Sequence, residues 1–274
     1  MELMLQASTF DVTRLSSLSD ISTKVEAIVS KCSSDLLLLP ELLWLPGFPD
    51  PIKDEPGARR TAEELWSKVL PSLARKSSTL DRFFVLGTAP FWKESQNAFS
   101  NRAVVVQDGE LLYQDKLCLT PWEVGLVPGE DLKVFNFRGQ RLAIAVCFDI
   151  EMPEIAARLK LEGVNCVLVP SATETRLGWE RIQRCASARS VELCAYVATA
   201  HLLGRSECEL VSENEGSTSV FAPAQSPFLE QERQSTTVCR QSGFFDQIVT
   251  LDFSKVVQAR GGKEETNPFK AKPL

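Results

Sequence analysis

Cys147 closes the apolar run 142–146 and precedes Pro153-Glu154, two residue types that suit the first turn of a helix. A thiol at the C-terminal mouth of a core strand is where open α/β folds place their chemistry. The plain alternative is a small buried hydrophobe, the usual role of a free cysteine. Two further groups share this address. Glu41 follows the all-apolar run 36–39 and Pro40, and Lys116 follows the strand-like 110–114 and Asp115. Each alone has a dull explanation, such as an ion pair at the end of a sheet. Together they make a nucleophile, a base and a cation.

Moving a proton from a thiol to a carboxylate crosses about 4 pKa units, or roughly 5–6 kcal/mol in water. Burial raises the carboxyl and a neighbouring ammonium lowers the thiol, so a closed pocket holding all three brings the transfer near balance. After attack on an acyl carbon, Lys116 and the backbone N–H of Phe148 are placed to form an oxyanion hole. Glu41 then protonates the leaving amine and later activates water.

Other chemistries fit less well. His201 is the single histidine, at the end of the apolar run 195–200. A papain-like pair of Cys147 and His201 therefore stands as a competing reading, against a structural role for the ring. The eight cysteines contain no C-x-x-C pair, and several lie in apolar runs, which reads as reduced thiols in a cytoplasmic protein. The set Cys185, Cys194, His201 and Cys208 lacks the short spacings of a zinc site, so no metal is expected.

The elements that must hold these groups follow from pattern. The chain has 274 residues, 44% of them hydrophobic and 24% charged, enough for a full core. A net charge of −6 argues against nucleic acid as partner, and no apolar run is long enough to span a bilayer. No secretory signal is visible at the N-terminus. A strand at 2–6 leads to a helix capped by Ser19 or Asp20, with Ile21, Val25, Ile28 and Val29 at helical spacing. The run 36–39 reads as a parallel strand buried on both faces. A proline-rich loop follows, and Thr61 with Glu64 predicts a capping box for a helix to about Ser77, perturbed at Pro71.

Strands are expected at 82–88 and, as a hairpin turning at Asp108-Gly109, at 103–107 and 110–114. Residues 117–131 read as a loop, and 133–137 pairs with 141–146. A helix over 153–162 sets Glu154 and Arg158 one turn apart for an ion pair. The strand 165–169 resembles 36–39 in ending at a proline, which suggests two similar half-units. A helix at 177–192, a strand at 195–200, a polar loop at 203–216 and short strands near 218–221, 236–239 and 247–252 complete a single domain over 1–260. The polar tail 261–274 is expected to be disordered or to lie on a partner.

Three blocks carry a resemblance. Leu39-Pro40-Glu41, the run from Asp115 through Lys116 to Pro121-Trp122-Glu123, and the run from Cys147-Phe148-Asp149 to Pro153-Glu154 with Arg158 resemble the motifs of the nitrilase (carbon–nitrogen hydrolase) superfamily. Val169-Pro170-Ser171-Ala172 and Ala188-Arg189-Ser190-Val191-Glu192 resemble its later blocks, in order and over nearly the whole chain. The resemblance implies an α/β fold, a four-layer α-β-β-α sandwich that assembles as a homodimer or larger homo-oligomer by packing sandwich on sandwich. It assigns Glu41 as general base and acid, Lys116 as oxyanion stabiliser, Cys147 as nucleophile and Glu123 as a second glutamate that positions the lysine and substrate. It implies no cofactor.

Nitrile hydrolases of the superfamily usually carry Trp-Glu after the cysteine. Phe148-Asp149 resembles instead the amidase and carbamoylase branches. Cys118 stands where the family often has histidine, Phe148 where tyrosine is common, and Leu193-Cys194 where Asn-Gln is frequent. The expected activity is hydrolysis of a small amide or N-carbamoyl compound through a thioester. Nitrile hydrolysis or acyl transfer on the same triad, and a silent scaffold of the same fold, are the alternatives. Trp122, Phe148, Thr173 and Glu174 adjoin catalytic residues or another strand end and are the expected substrate-binding residues. Glu151 has two readings, one toward a substrate's positive charge and one toward solvent or the helix N-terminus.

Overall fold

The computed structural model describes residues 1–50, 53–77, 81–263 and 267–270. In chain order its strands are β1 (Glu2–Ser8), β2 (Phe10–Asp11), β3 (Leu36–Leu39), β4 (Phe83–Lys93), β5 (Ala98–Gln107), β6 (Glu110–Asp115) and β7 (Val134–Phe137). They continue as β8 (Gln140–Ile144), β9 (Cys166–Ser171), β10 (Tyr196–Arg205), β11 (Glu213–Asn214), β12 (Thr218–Phe221), β13 (Gln234–Thr236) and β14 (Asp246–Asp252). Helices α1 (Leu18–Lys31), α2 (Glu55–Glu64), α3 (Leu70–Ser77), α4 (Pro153–Leu161), α5 (Arg176–Glu192), α6 (Glu230–Arg233) and α7 (Phe253–Gly261) lie between and after them.

Two mixed sheets form. One runs β14-β1-β3-β4-β5-β6; the other runs β13-β12-β10-β9-β8-β7, with β2 and β11 also pairing to β10. The parallel pairs β1–β3, β3–β4, β8–β9 and β9–β10 sit inside the sheets, and antiparallel strands flank them. The four leucines of β3 show why this stacks in layers. Leu36 and Leu38 join the core between the sheets, while Leu37 and Leu39 join the core under α1, α2 and α3. A strand buried on both faces needs a layer on each side. Phe83 of β4 packs edge-on against Phe135 of β7 at 5.6 Å between ring centroids, joining the two sheets. On the outer side of the second sheet, α4 and α5 bury Ile155, Leu159, Ile182 and Ala186. The result is the α-β-β-α sandwich, with β3 and β9, the two similar strands, interior to separate sheets.

Several boundaries differ from the sequence expectation for local reasons. Ser17, not Ser19 or Asp20, caps α1: its backbone is extended and its hydroxyl accepts from Asp20 N–H at 3.1 Å. Helix α2 begins at Asp54, whose carboxylate accepts from Gly57 N–H at 3.0 Å. Thr61 lies inside it and donates its hydroxyl back to the Gly57 carbonyl, so the capping box with Glu64 does not form. A π-turn at Leu65–Val69 widens the helix just ahead of Pro71, which has no N–H to donate. Strands β4 and β10 run five residues further than their apolar cores, to Lys93 and Arg205. The second-last strand is Gln234–Thr236 rather than 236–239. Glu154 and Arg158 form no ion pair among the described residues.

The Asn267 side-chain amide donates to the Ala259, Arg260 and Gly262 carbonyls at 3.0–3.1 Å, closing the open end of α7. Phe269 lies under the Arg260 guanidinium at 4.5 Å. Residues 267–270 thus make contacts with their own chain; 264–266 and 271–274, the rest of the tail expected to be disordered or to lie on a partner, lie outside the described residues. No helix among the described residues is long and apolar enough to cross a membrane.

Candidate active site

The turn after β3 is held from β4. Gly87 sits at φ +72°, where a Cβ would stand 2.3 Å from the Pro40 carbonyl, so only glycine allows the two strands to approach here. The next residue, Thr88, accepts from Leu42 N–H at 2.8 Å, and Trp44 seals the loop by donating to the Leu86 carbonyl. Trp44 is therefore core. This turn aims Glu41 inward, where it is buried.

Lys116 leaves β6 with its N–H on the Asn101 carbonyl at 2.8 Å. Its ammonium donates to Glu41 Oε1 at 2.9 Å and to Glu123 Oε2 at 2.8 Å. Asn101 bridges the same two carboxylates, donating to Glu41 Oε1 at 2.9 Å and Glu123 Oε1 at 3.1 Å. Glu123 is anchored further by the backbone N–H and hydroxyl of Thr120, at 2.8 and 2.9 Å. The second sheet supplies the rest. Ala172, just past β9, donates its N–H to Glu41 Oε2 at 3.0 Å, and its carbonyl accepts from Cys147 Sγ at 3.6 Å. Cys147 opens a short 3-10 turn (Cys147–Glu151) after β8 with φ +47°. A side chain in that left-handed region costs about 1–2 kcal/mol and presents the thiol at a sharp bend.

Electrostatics follow from burial of this cluster. Burial raises the Glu41 carboxyl, an effect that Lys116 opposes and does not cancel. Burial, reinforced by the Glu41 charge, pushes the Cys147 thiol well up, again against Lys116. Burial alone would lower Lys116, yet Glu41, Cys147 and Glu123 outweigh it and raise the ammonium, which stays charged. Burial alone would raise Glu123, but Lys116 and its hydrogen bonds bring it below the ordinary value. The cluster thus holds a fixed cation, one fixed anion, and two groups, Glu41 and Cys147, whose hold on a proton burial strengthens.

Cys147 opens onto a cavity of about 400 Å³. Glu41, Lys116, Glu123 and Cys147 form its floor, and Trp122, Phe148, Thr173 and Glu174 are all on its wall. Trp122 stands at the mouth, largely exposed, whereas Thr173 is buried and donates to the Glu215 carbonyl at 2.6 Å. Glu151 also faces the cavity, paired with Arg181 of α5 at 3.3 Å.

Sequence reasoning passed over Asn101, Arg181 and the cavity residues Glu209, Leu210 and Asn214. Ser100-Asn101-Arg102, three polar residues inside the buried strand β5, was an available signal for the first. The others come from chain stretches with no local signal. Asp149 is buried beneath the site and accepts backbone N–H groups from Leu117, Cys118 and Val146. Burial raises its carboxyl to about 7 despite Lys116 and those bonds.

His201 lies elsewhere. It is fully buried on β10, with Nδ1 2.8 Å from the Ser217 carbonyl, and it does not line the cavity. Burial lowers it to about 4, so it is a neutral core ring rather than a base for Cys147. The unfolded chain takes up this proton near pH 6.5 and the folded chain does so only near 4, so stability falls as pH drops across that window. A shift of this size is worth up to about 3 kcal/mol. His201→Gln removes this term: urea melts at pH 7 and pH 5 show a smaller acid-induced loss in the variant than in wild type. An equal loss in both places the acid sensitivity in other groups. No cluster of three or more His, Cys, Asp or Glu residues suited to a metal ion occurs among the described residues.

A family model described as carbon-nitrogen hydrolase matches residues 4–240. "Probable hydrolase YhcX" of Bacillus subtilis (strain 168) is 26% identical over 230 residues, which is 80% of this chain and 44% of that protein. "Omega-amidase NIT2" of Bos taurus is 28% identical over 189 residues, 62% of this chain and 63% of that one. The chain thus spans less than two thirds of either relative's own length. Saccharomyces cerevisiae Nit3, a solved member of branch 10 of the nitrilase superfamily, superposes with a TM-score of 0.75 at 19% identity. That superposition covers 98% of this chain and 97% of Nit3, and shows a shared fold. With a family model matched across most of its length and the sandwich in place, the chain belongs to the carbon-nitrogen hydrolase family.

Proposed function

We propose that this protein is a cysteine-dependent amidase that cleaves a small amide or N-carbamoyl compound, releasing ammonia or an amine. The observation that carries the reading is the meeting of Glu41, Lys116 and Cys147 on the floor of one cavity, from both sheets. The substrate carbonyl carbon receives Cys147 Sγ as the thiol proton passes to Glu41. The carbonyl oxygen becomes an oxyanion that accepts from Lys116 and the Phe148 N–H. Lys116 has committed two of its three donors to carboxylates, which leaves one for this oxygen. The C–N bond breaks as Glu41 returns the proton to the leaving nitrogen, and a thioester remains. Water then attacks the thioester while Glu41 takes its proton, and that proton restores the thiol as the acid departs.

Glu123 shares the lysine and holds it in place. Trp122, Phe148, Thr173 and Glu174 contact the substrate body. The eight cysteines are all free, in keeping with a reducing, cytoplasmic setting. A homodimer, testable by light scattering, is part of the same reading, as is a single catalytic domain over 1–260.

The test is a screen of small amides, N-carbamoyl compounds and nitriles for ammonia release, with Cys147→Ala in parallel. Wild type releases ammonia from an amide or carbamoyl compound and forms a thioester-labelled Cys147. Cys147→Ala lowers turnover by at least about 10³-fold. Consumption of nitriles alone, or an electrophilic acyl probe that shows no preference for Cys147 among the eight cysteines, defeats the proposal.

A further inference from the structure

Lys116 and Cys147 come from different sheets. Lys116 follows β6 at the edge of the first sheet, and Cys147 follows β8 of the second. No backbone ladder sets the distance between them. One buried side chain bonds the backbone beside both. Asp149, fully buried, accepts at Oδ1 from Leu117 N–H at 3.1 Å and Cys118 N–H at 2.7 Å. Its Oδ2 accepts from Val146 N–H at 2.9 Å. Two of these amides follow Lys116 in the chain and the third precedes Cys147. The carboxylate does not line the cavity, so it has no route to the substrate.

We infer that Asp149 is a positioning residue that sets the spacing of Lys116 and Cys147 through these three backbone amides. The inference rests on the amidase reading above and names a part of that site with no role in bond making. Three N–H donors converge on one carboxylate, and only an acceptor at both oxygens satisfies them. An asparagine in its place turns an NH₂ group toward either the Val146 N–H or the Leu117 and Cys118 pair. Either orientation opposes donor to donor, and one side of the staple opens. A misplacement of that size at a reacting pair is enough to cost about 10²-fold in rate. Substrate contacts on the cavity wall are untouched, so the loss falls on kcat.

The experiment compares wild type, Asp149→Asn, Asp149→Glu and Cys147→Ala. It measures kcat and KM on an amide that wild type turns over, and the rate of Cys147 carbamidomethylation by chloroacetamide. The expected result for folded Asp149→Asn is a kcat about 10²-fold below wild type. KM stays within about threefold, and labelling of Cys147 slows by about tenfold or more. Asp149→Glu keeps the charge but moves it one methylene, and falls between the two. A purely structural role lowers the melting temperature and the active fraction while the labelling rate of the folded fraction stays at the wild-type value, and that result overturns the inference. If Asp149→Asn does not fold, Asp149→Glu decides: wild-type kcat overturns the inference, and a loss of about tenfold at unchanged KM supports it. Retained turnover in Cys147→Ala would instead reject the amidase reading itself.

Discussion

Glu41→Gln yields a folded protein whose kcat falls by about 10²–10⁴-fold while KM changes little. The substitution is nearly isosteric. The glutamine oxygen still accepts from Lys116 and Asn101, as Glu41 Oε1 does now at 2.9 Å from each. What it loses is the acceptor for the Ala172 N–H at Oε2 and, with far larger effect on rate, the ability to take the Cys147 proton, to deliver it to the leaving nitrogen and to activate water. Every proton in the proposed cycle passes through that one carboxylate, so no second group compensates. His201 in particular is remote from the cavity and neutral to about pH 4. The measurement is steady-state kinetics alongside His201→Gln. Loss in Glu41→Gln with turnover kept in His201→Gln supports the assignment; the reverse pattern would move the base to the histidine.

Lys116→Met is expected to be the most destabilising single change in the site, by about 3–5 kcal/mol near neutral pH. Lys116 is buried, with 2% of its side chain exposed, and it is the shared partner of two equally buried carboxylates. Methionine replaces its length but leaves Glu41 and Glu123 facing each other without the cation. The sign of the pH dependence follows. In wild type the lowered Glu123 carboxyl contributes stability above its ordinary value of 4.5, which is lost as pH falls through its folded value. In the variant both carboxyls are raised, the folded state binds protons more readily than the unfolded one, and stability rises as pH falls. Urea melts therefore show a gap from wild type that narrows between pH 7.5 and pH 5. A gap of constant size would place the cost in packing rather than charge. Turnover is lost with the oxyanion donor, and Cys147→Ala, which removes no charge, serves as the stability control.

These expectations draw on residues that were unequally visible beforehand. Glu41 and Cys147 were readable because each follows a strand whose burial is written in its composition, such as the four leucines of β3, whereas Lys116 follows the partly exposed hairpin strand β6 and was readable as part of a charged pair at a strand end. Helix starts were less secure: Ser17, Ser19 and Asp20 are all good caps, and only backbone conformation selected Ser17. Thr61-x-x-Glu64 has the letters of a capping box, but Asp54 had already started the helix upstream, which left Thr61 in its interior. Glu151 likewise has a neighbour that no local pattern shows, Arg181, which lies 30 residues away on another element.

The sequence by itself determined the alternation of strands and helices, the groups at three strand ends and the family they mark. Periodicity and strand termini are properties of short stretches, so they survive without knowledge of the partner. Tertiary structure alone decided that Asn101 bridges the two glutamates, that Ala172 serves both Glu41 and Cys147, and that Asp149 spans from one sheet to the other. Each of those depends on distances across the sheet interface, where residues far apart in the chain come within 3 Å or so of one another. Such distances are set by how whole layers pack, not by any local pattern.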